Sequence, residues 1–179
     1  MLPSVKTTWA PRGETPIIRQ RTRHWQKVSA IGALALSPRR HNIRQYVTLY
    51  PNQNIRAPEL IGYLKDLLRE IRGQIVLVWD RLNVHRSRDV AQFIESRPRL
   101  DVEYLPPYAP ELNPVEHLWC ATKHHRMAGH AITDLDVLED RAAAELDAVA
   151  DDRDLLRSFF RATPLPLKLD LVHSLCSAQ

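Results

Sequence analysis

Two acidic residues, Asp80 and Glu116, stand at expected junctions between secondary-structure elements, with 35 residues between them. Asp80 ends an apolar run and precedes a polar segment, so its carboxylate leaves the core but stays beside it. Glu116 follows a proline-rich loop, at the expected start of a helix. Two converging carboxylates can hold hard, oxygen-seeking cations such as Mg²⁺. Two such ions can activate a water molecule or a 3′-hydroxyl group for phosphodiester cleavage and stabilise the leaving oxygen.

Each acid also has a purely structural interpretation. Asp80 is suited to start a turn by accepting backbone hydrogen bonds. Asn113 can cap the following helix with Pro114 at its first position, which makes Glu116 the acidic member of a capping box. The loop is stiff for a simple connection, however, because four prolines fix their own φ angles and restrict the residues before them. Such rigid placement suits a metal ligand. These prolines are Pro106, Pro107, Pro110 and Pro114.

The hydrophobic periodicity indicates an α/β protein. It predicts strands at 27–36, 43–51, 74–80 and 100–105. It predicts helices at 57–71, 87–96 and 114–127, a helix capped by Thr133, and a short helix at 151–160. The near-continuous apolar run 74–80 predicts a strand that is buried on both faces. This order gives a mixed sheet, antiparallel at the front and built of βαβ units behind, with the site at the carboxyl ends of its strands.

The composition is that of one globular domain, with 179 residues of which 44% are hydrophobic. No run approaches the roughly 20 apolar residues that span a bilayer, and no signal peptide is visible. The two cysteines are far apart and indicate neither a disulfide framework nor a zinc site. These features predict a reduced intracellular protein.

Basic residues are concentrated in the front of the chain, where residues 1–45 hold nine Lys or Arg and one acid. This distribution favours a polyanion partner such as nucleic acid, and a solvated basic surface is the equal alternative. Arg19, Arg21 and Arg23 could form a phosphate-binding edge or an exposed hairpin of arginines. Lys123 lies seven residues after Glu116 and could share its helix face and meet a phosphate, or serve as a favourable charge near the helix end.

The motifs resemble a known family. VWDRLNVHRS (78–87), followed by YLPPYAPELNPVEHLW (104–119), resembles the catalytic domain of the DDE transposases, closest to the bacterial insertion-sequence branch of the mariner superfamily. TWAPRGETP (8–16) and HLWCATKHH (117–125) are also similar to that branch. The resemblance covers about residues 1–160, the expected catalytic domain, and leaves 161–179 as a C-terminal tail. The Asn-Pro-x-Glu motif is specific, and the Trp-Asp motif with its later histidine is moderately so.

The resemblance implies an RNase H-like fold, with a five-stranded mixed sheet and helices on both faces. It implies DNA strand cleavage and strand transfer at transposon ends, dependent on Mg²⁺ with Mn²⁺ as a substitute. Asp80 matches the second catalytic aspartate and Glu116 the third acid, both as metal ligands. His85 matches a histidine that could touch a phosphate of the nucleic acid or orient Asp80, and a simple turn histidine is an alternative of at least equal weight. Arg81 stands where the family usually has asparagine.

The family's first acid lies on an opening strand that precedes the segment matched at the start of this chain. The first strand is therefore expected to be incomplete and the chain alone to be inactive, either as a relic or as one half of a frameshifted product. The expected partners are double-stranded DNA of transposon ends and target, and either further copies of the chain or an upstream transposase half. The expected location is the bacterial cytoplasm, associated with the nucleoid, without a membrane.

Two other functions stay open from the sequence. One is a non-catalytic DNA- or transposase-binding fragment that regulates transposition. The other is a different RNase H-like nuclease, which a preference for RNA–DNA hybrids would favour.

Overall fold

The structure, a computed structural model, describes residues 27–126 and 134–165. The four strands are β1 (Val28–Leu36), β2 (Ile43–Pro51), β3 (Ile75–Trp79) and β4 (Leu100–Tyr104). The α-helices are α1 (Ala57–Glu70), α2 (Arg88–Glu95), α3 (Pro114–Cys120), α4 (Leu135–Asp151) and α5 (Arg153–Arg161). A 3₁₀ turn covers Pro110–Leu112 and a π-helical turn covers Ala121–Arg126. The predictions for Arg19, Arg21 and Arg23 lie outside the described residues.

Strands β1 and β2 form the predicted antiparallel hairpin, with Val28 opposite Pro51 and Leu36 opposite Ile43. Successive side chains of a strand point to opposite faces, so each strand serves two layers. Ile31 contributes to the core cluster on one face, and Leu34 packs into the cluster on the other. The hairpin is therefore covered on both faces.

Helix α1 runs back along β2. The Tyr50 hydroxyl donates to the backbone oxygen of Glu59 at 3.3 Å, and the Tyr63 hydroxyl donates to that of Tyr46 at 3.0 Å. Burial raises the pKa of the Tyr63 phenol well above its usual range, with smaller contributions from Tyr50 and Tyr46. Since α1 is antiparallel to β2, β3 begins at the rim where β2 begins, and Asp80 lies at the rim where β2 ends.

Strands β3 and β4 are parallel and are joined through α2, with Ile75 opposite Leu100 and Trp79 opposite Tyr104. Among the described residues, no strand hydrogen bond joins this pair to the hairpin. A shared core connects them instead, since the cluster around α1 includes side chains of all four strands. Its buried members are Leu60, Tyr63, Leu64, Trp79, Val90 and Phe93.

Helices α3, α4 and α5 form the layer on the other face of the hairpin. Their buried cluster is Leu118, Leu146, Val149, Leu156 and Phe159. The predicted α/β class with helices on both faces is confirmed. The prediction that residues 74–80 are buried on both faces is wrong, because Val76 and Val78 are 62% and 52% exposed. The helices that could have covered that face pack against β1 and β2 instead.

Two helix boundaries differ from the prediction. The helix predicted at 114–127 is α-helical only to Cys120 and continues as the π-helical turn. The next helix was predicted to be capped by Thr133, which lies outside the described residues. The residue that caps α4 is Asp134, whose side chain accepts from the Asp136 backbone N–H at 2.9 Å. None of the helices within 27–126 and 134–165 combines the length and apolarity needed to cross a bilayer.

Candidate active site

Asp80 is held by the turn that follows it. Its Oδ1 accepts from the Leu82 backbone N–H at 3.1 Å and lies 2.8 Å from Nδ1 of His85. The side chain is 42% exposed, and Oδ2 has no hydrogen-bond partner among the described residues. The structural interpretation of Asp80 as a turn residue is therefore correct, and one of its oxygens is still available for a ligand.

His85 is fixed by three contacts. Its ring stacks on Trp79 with centroids 4.3 Å apart and an angle of 4° between the ring planes. Its Nδ1 faces both Oδ1 of Asp80 and the Asp80 backbone oxygen, the latter at 3.1 Å. Because both neighbours are acceptors, Nδ1 must carry the proton. The ring is only 15% exposed, so this arrangement favours orientation of Asp80 over a phosphate contact through Nδ1.

The rim beside Asp80 is tied together by contacts that the sequence analysis missed. The Leu105 backbone N–H donates to the Trp79 oxygen at 2.8 Å, which places the start of the proline loop level with Asp80. Arg81 donates through Nε to the Leu105 oxygen at 3.4 Å, and its guanidinium lies 5.7 Å from the centre of the Tyr104 ring. The register of β3 and β4 pairs Trp79 with Tyr104 and so brings Arg81 close to Tyr104.

Glu116 lies in the first turn of α3, but it does not complete the predicted capping box. The Asn113 side chain accepts from the Val115 backbone N–H at 3.1 Å, as a cap should. The Asn113 backbone N–H donates to the Pro110 oxygen at 2.9 Å rather than to Glu116. The exposed Glu116 carboxylate therefore has no hydrogen bond or ion pair among the described residues.

The capping box at α1 shows the difference. There the Arg56 backbone N–H donates to Oε2 of Glu59 at 2.8 Å, so the acid is used by the helix start. In α3 the 3₁₀ turn takes over that role. The start of α3 does not use the Glu116 carboxylate, so helix capping does not explain why an acid stands at this position.

Helix α3 is placed by its contact with the hairpin. Trp119 packs so closely on Gly32 that a Cβ atom there would lie 2.7 Å from Cη2 of the indole. The next residue back, Leu118, is fully buried among α4, α5 and the hairpin. Trp119 therefore has a packing role. These contacts fix the helix that carries Glu116.

Lys123 lies in the π-helical turn rather than on α3. The seven-residue spacing that was predicted to align it with Glu116 assumes a continuous α-helix, and the π-turn changes that alignment. Its side chain is half-buried and makes no hydrogen bond or ion pair with other described residues.

Asp80 directly follows β3, and Glu116 lies in the first turn of α3, the helix that follows the β4 loop. No hydrogen bond or salt bridge joins them, and the described ranges hold no cluster of three His, Cys, Asp or Glu side chains that could bind a metal ion. The available donors are one oxygen of Asp80 and both oxygens of Glu116. Mg²⁺ commonly binds one or two carboxylates and completes its shell with waters and substrate phosphates, so this donor set fits the ion.

Comparison with known proteins gives one family and one fold. The sequence model of the DDE superfamily endonuclease family matches residues 3–139. No curated protein sequence matches the chain. The chain is structurally similar to the Mos1 transposase catalytic domain solved with raltegravir and Mg, with 17% identity, a TM-score of 0.52 and coverage of 75% of each chain.

Two larger structures of the same transposase are also similar. The Mos1 strand transfer complex gives 18% identity and a TM-score of 0.61, covering 89% of this chain and 46% of that one. The Mos1 mariner paired end complex with Mn gives 17% identity and a TM-score of 0.60, covering 90% of this chain and 47% of that one. At these identities the similarity shows the fold, which is RNase H-like. The family match spans more than half of the chain, so this protein belongs to the DDE superfamily endonuclease family.

Proposed function

We propose that this chain supplies the catalytic domain of a DNA transposase that cleaves and transfers DNA strands at transposon ends. The proposed domain, residues 1–160, includes the family match at 3–139. The observation that carries the proposal is that Oδ2 of Asp80 and the exposed Glu116 carboxylate have no partner among the described residues of this DDE-family chain. Both acids stand at the positions that the motifs assign to catalytic residues.

The proposed cofactor is Mg²⁺, with Mn²⁺ as a substitute, held by Asp80 and Glu116. When bound, such ions supply activation of the attacking hydroxyl group and stabilise the leaving oxygen. The chain itself fixes the ligands: His85 and the Leu82 N–H restrict rotation of Asp80. Contact with the hairpin fixes the helix of Glu116.

The motif match assigns two of the family's three acids to these residues. We therefore expect weak metal binding and no useful rate of cleavage by the 179-residue chain alone. The third ligand would come from an upstream transposase half, and further copies of the chain are the other proposed protein partner. We place such an assembly at the nucleoid in the bacterial cytoplasm.

The DNA partner is double-stranded, from the transposon ends and the target. Arg19, Arg21, Arg23 and Lys123 are the proposed phosphate contacts. His85 is a further proposed contact, and its Nδ1 is committed to Asp80. Any contact of His85 with DNA would therefore use the rest of the ring.

The first test is Mn²⁺ binding to the full chain, measured by electron paramagnetic resonance. Asp80→Asn and Glu116→Gln should each weaken binding about 10- to 100-fold, because each removes a charged oxygen ligand. Glu111→Gln is the matched control, since Glu111 is exposed and lies in the same loop. Equal Mn²⁺ affinity in all four proteins would refute the site. Efficient Mg²⁺-dependent nicking of plasmid DNA by the chain alone, lost in Asp80→Asn, would refute the expected inactivity.

The role of His85 can be tested in the same assay. His85→Ala should lower Mn²⁺ affinity about tenfold, because a partner that orients a metal ligand commonly affects affinity by that amount. His85→Asn should restore most of the affinity, since its amide can donate to Asp80 from nearly the position of Nδ1. Urea unfolding of both variants separates this effect from general loss of stability. If His85→Asn binds Mn²⁺ as weakly as His85→Ala while the two variants are equally stable, His85 does not position Asp80.

A second candidate function is a non-catalytic fragment that binds DNA or a transposase and regulates transposition. The observation in its favour is that two acids, not three, are matched in this chain. A salt-dependent DNA affinity that survives the Asp80→Asn, Glu116→Gln double substitution would favour this function.

A further inference from the structure

A polar cleft of about 530 Å³ lies between the start of β2 and the junction of α4 and α5. The topology places it at the opposite rim from Asp80, since Asp80 lies where β2 ends. The nine residues of β2 span roughly 26 Å at the usual rise of a strand. The charged and polar side chains that line the cleft include His41, Arg44, Gln45, Asp151, Arg153 and Arg157.

Positive charge is concentrated in this cleft against an acidic background. Residues 129–160 carry nine acids and three arginines. Two of those three arginines, Arg153 and Arg157, line the cleft, and β2 adds Arg44. Asp151 in the lining and Asp154, which pairs with Arg157, offset two of the three charges. The cleft is therefore a local site of net positive charge on an otherwise acidic pair of helices.

One of the arginines is fixed and two are available. Arg157 donates to the His41 backbone oxygen and to Oδ1 of Asp154, both at 3.3 Å, and its side chain is only 17% exposed. Arg44 and Arg153 are exposed, and neither guanidinium has a hydrogen bond or an ion pair with the residues that the structure describes. Two unpaired arginines beside a fixed one can donate to an anion in the cleft.

Gln45 is fixed in the wall of the cleft. Its Nε2 donates to the Leu146 backbone oxygen at 3.0 Å, which leaves Oε1 on the other side of the amide. That oxygen is buried and accepts no hydrogen bond. Because Oε1 has almost no accessible surface, a ligand in the cleft does not reach it, and Gln45 contributes to the cleft through its contact with Leu146.

We propose that this cleft binds a phosphate group, held by Arg44, Arg153 and Arg157. The planar guanidinium group presents paired donors that match phosphate oxygens, and charge-assisted bonds of this kind are among the strongest in proteins. The phosphate can come from a nucleic acid or from a free phosphate compound. The site does not depend on the proposed metal centre, which lies at the other rim.

The test compares the full chain with the Arg44→Gln, Arg153→Gln double variant. The matched control is Arg69→Gln, Arg72→Gln, which removes two exposed arginines near the end of α1, at the same rim but outside the cleft. Inorganic phosphate is titrated while the backbone amides of Ile43 and Ala150, which line the cleft, are followed by NMR. Duplex DNA affinity is measured by fluorescence anisotropy over a range of salt concentrations.

If the phosphate comes from nucleic acid, the cleft variant should bind DNA at least several-fold more weakly than the control. Its slope of log affinity against log salt should also fall by about 1 for each lost phosphate contact. If the source is a free phosphate compound, inorganic phosphate should shift the two amides in the wild type and the control but not in the cleft variant, with DNA affinity equal in all three. No amide shift together with equal DNA affinities would overturn the proposal.

Discussion

Gly32→Ala should destabilise the protein by about 1–3 kcal/mol, the usual cost of overpacking a filled core. A Cβ atom at this position would lie 2.7 Å from the indole of Trp119 and 3.3 Å from a methyl group of Val47. The indole is held between the hairpin and α3 and cannot yield without moving the helix. The measurement is urea unfolding of both proteins. Mn²⁺ binding should weaken as well, because Glu116 is on the displaced helix.

A matched glycine provides the control. Gly62 lies in α1, where an added Cβ meets no atom within 4 Å. Gly62→Ala should stabilise the protein by about 0.5–1 kcal/mol, since alanine is the better helix former. In a Trp119→Leu background the cost of Gly32→Ala should largely disappear, which a double-mutant cycle would report as coupling. If Gly32→Ala is as well tolerated as Gly62→Ala, the ring does not restrict this position.

Leu64→Ala should cost about 2–5 kcal/mol, the range for large cavities in a core. Leu64 is 1% exposed and lies in the cluster that the hairpin shares with β3 and β4. The described residues of the two strand pairs share no strand hydrogen bonds, and within this part of the chain the cluster connects them. The loss should appear as a lower urea midpoint by circular dichroism.

The neighbouring Lys65→Ala is the control for this change, because Lys65 is exposed on the same helix. Its effect should stay within about 0.5 kcal/mol, as for most surface substitutions. Comparable losses in the two variants would mean that α1 does not connect the strand pairs through Leu64.

The elements of the fold were predictable where one periodicity dominated. The alternation in 43–51 predicted both ends of β2 correctly. The helical spacing in 57–71 predicted the start of α1 correctly and its end to within one residue. The apolar run 74–80 led to the wrong prediction of burial on both faces. Apolar residues indicate that a strand is buried, but they do not show which helices cover it. The π-helical turn after Cys120 depends on packing between distant segments, so local sequence carried no signal for it.

The candidate site was also predictable from the sequence only in part. Asp80 and Glu116 stood out because local motifs surround them, and the spacing of His85 placed it within reach of Asp80. The release of Glu116 from the capping box was not predictable, because it depends on a hydrogen bond from Asn113 to Pro110. The arginine cleft was equally hidden, since it joins Arg44 to residues more than 100 positions later in the chain.

The two acids also differ in the sequence separation of the contacts that hold them in place. Asp80 is oriented by a histidine five residues away, and such a short loop closes at little entropic cost. Glu116 depends on the contact of Trp119 with Gly32, which are 87 positions apart. Contacts of long sequence separation form late in folding because loop closure must come first. We therefore expect Asp80 to be in place early and the proposed metal site to be complete only when α3 docks, near the end of folding.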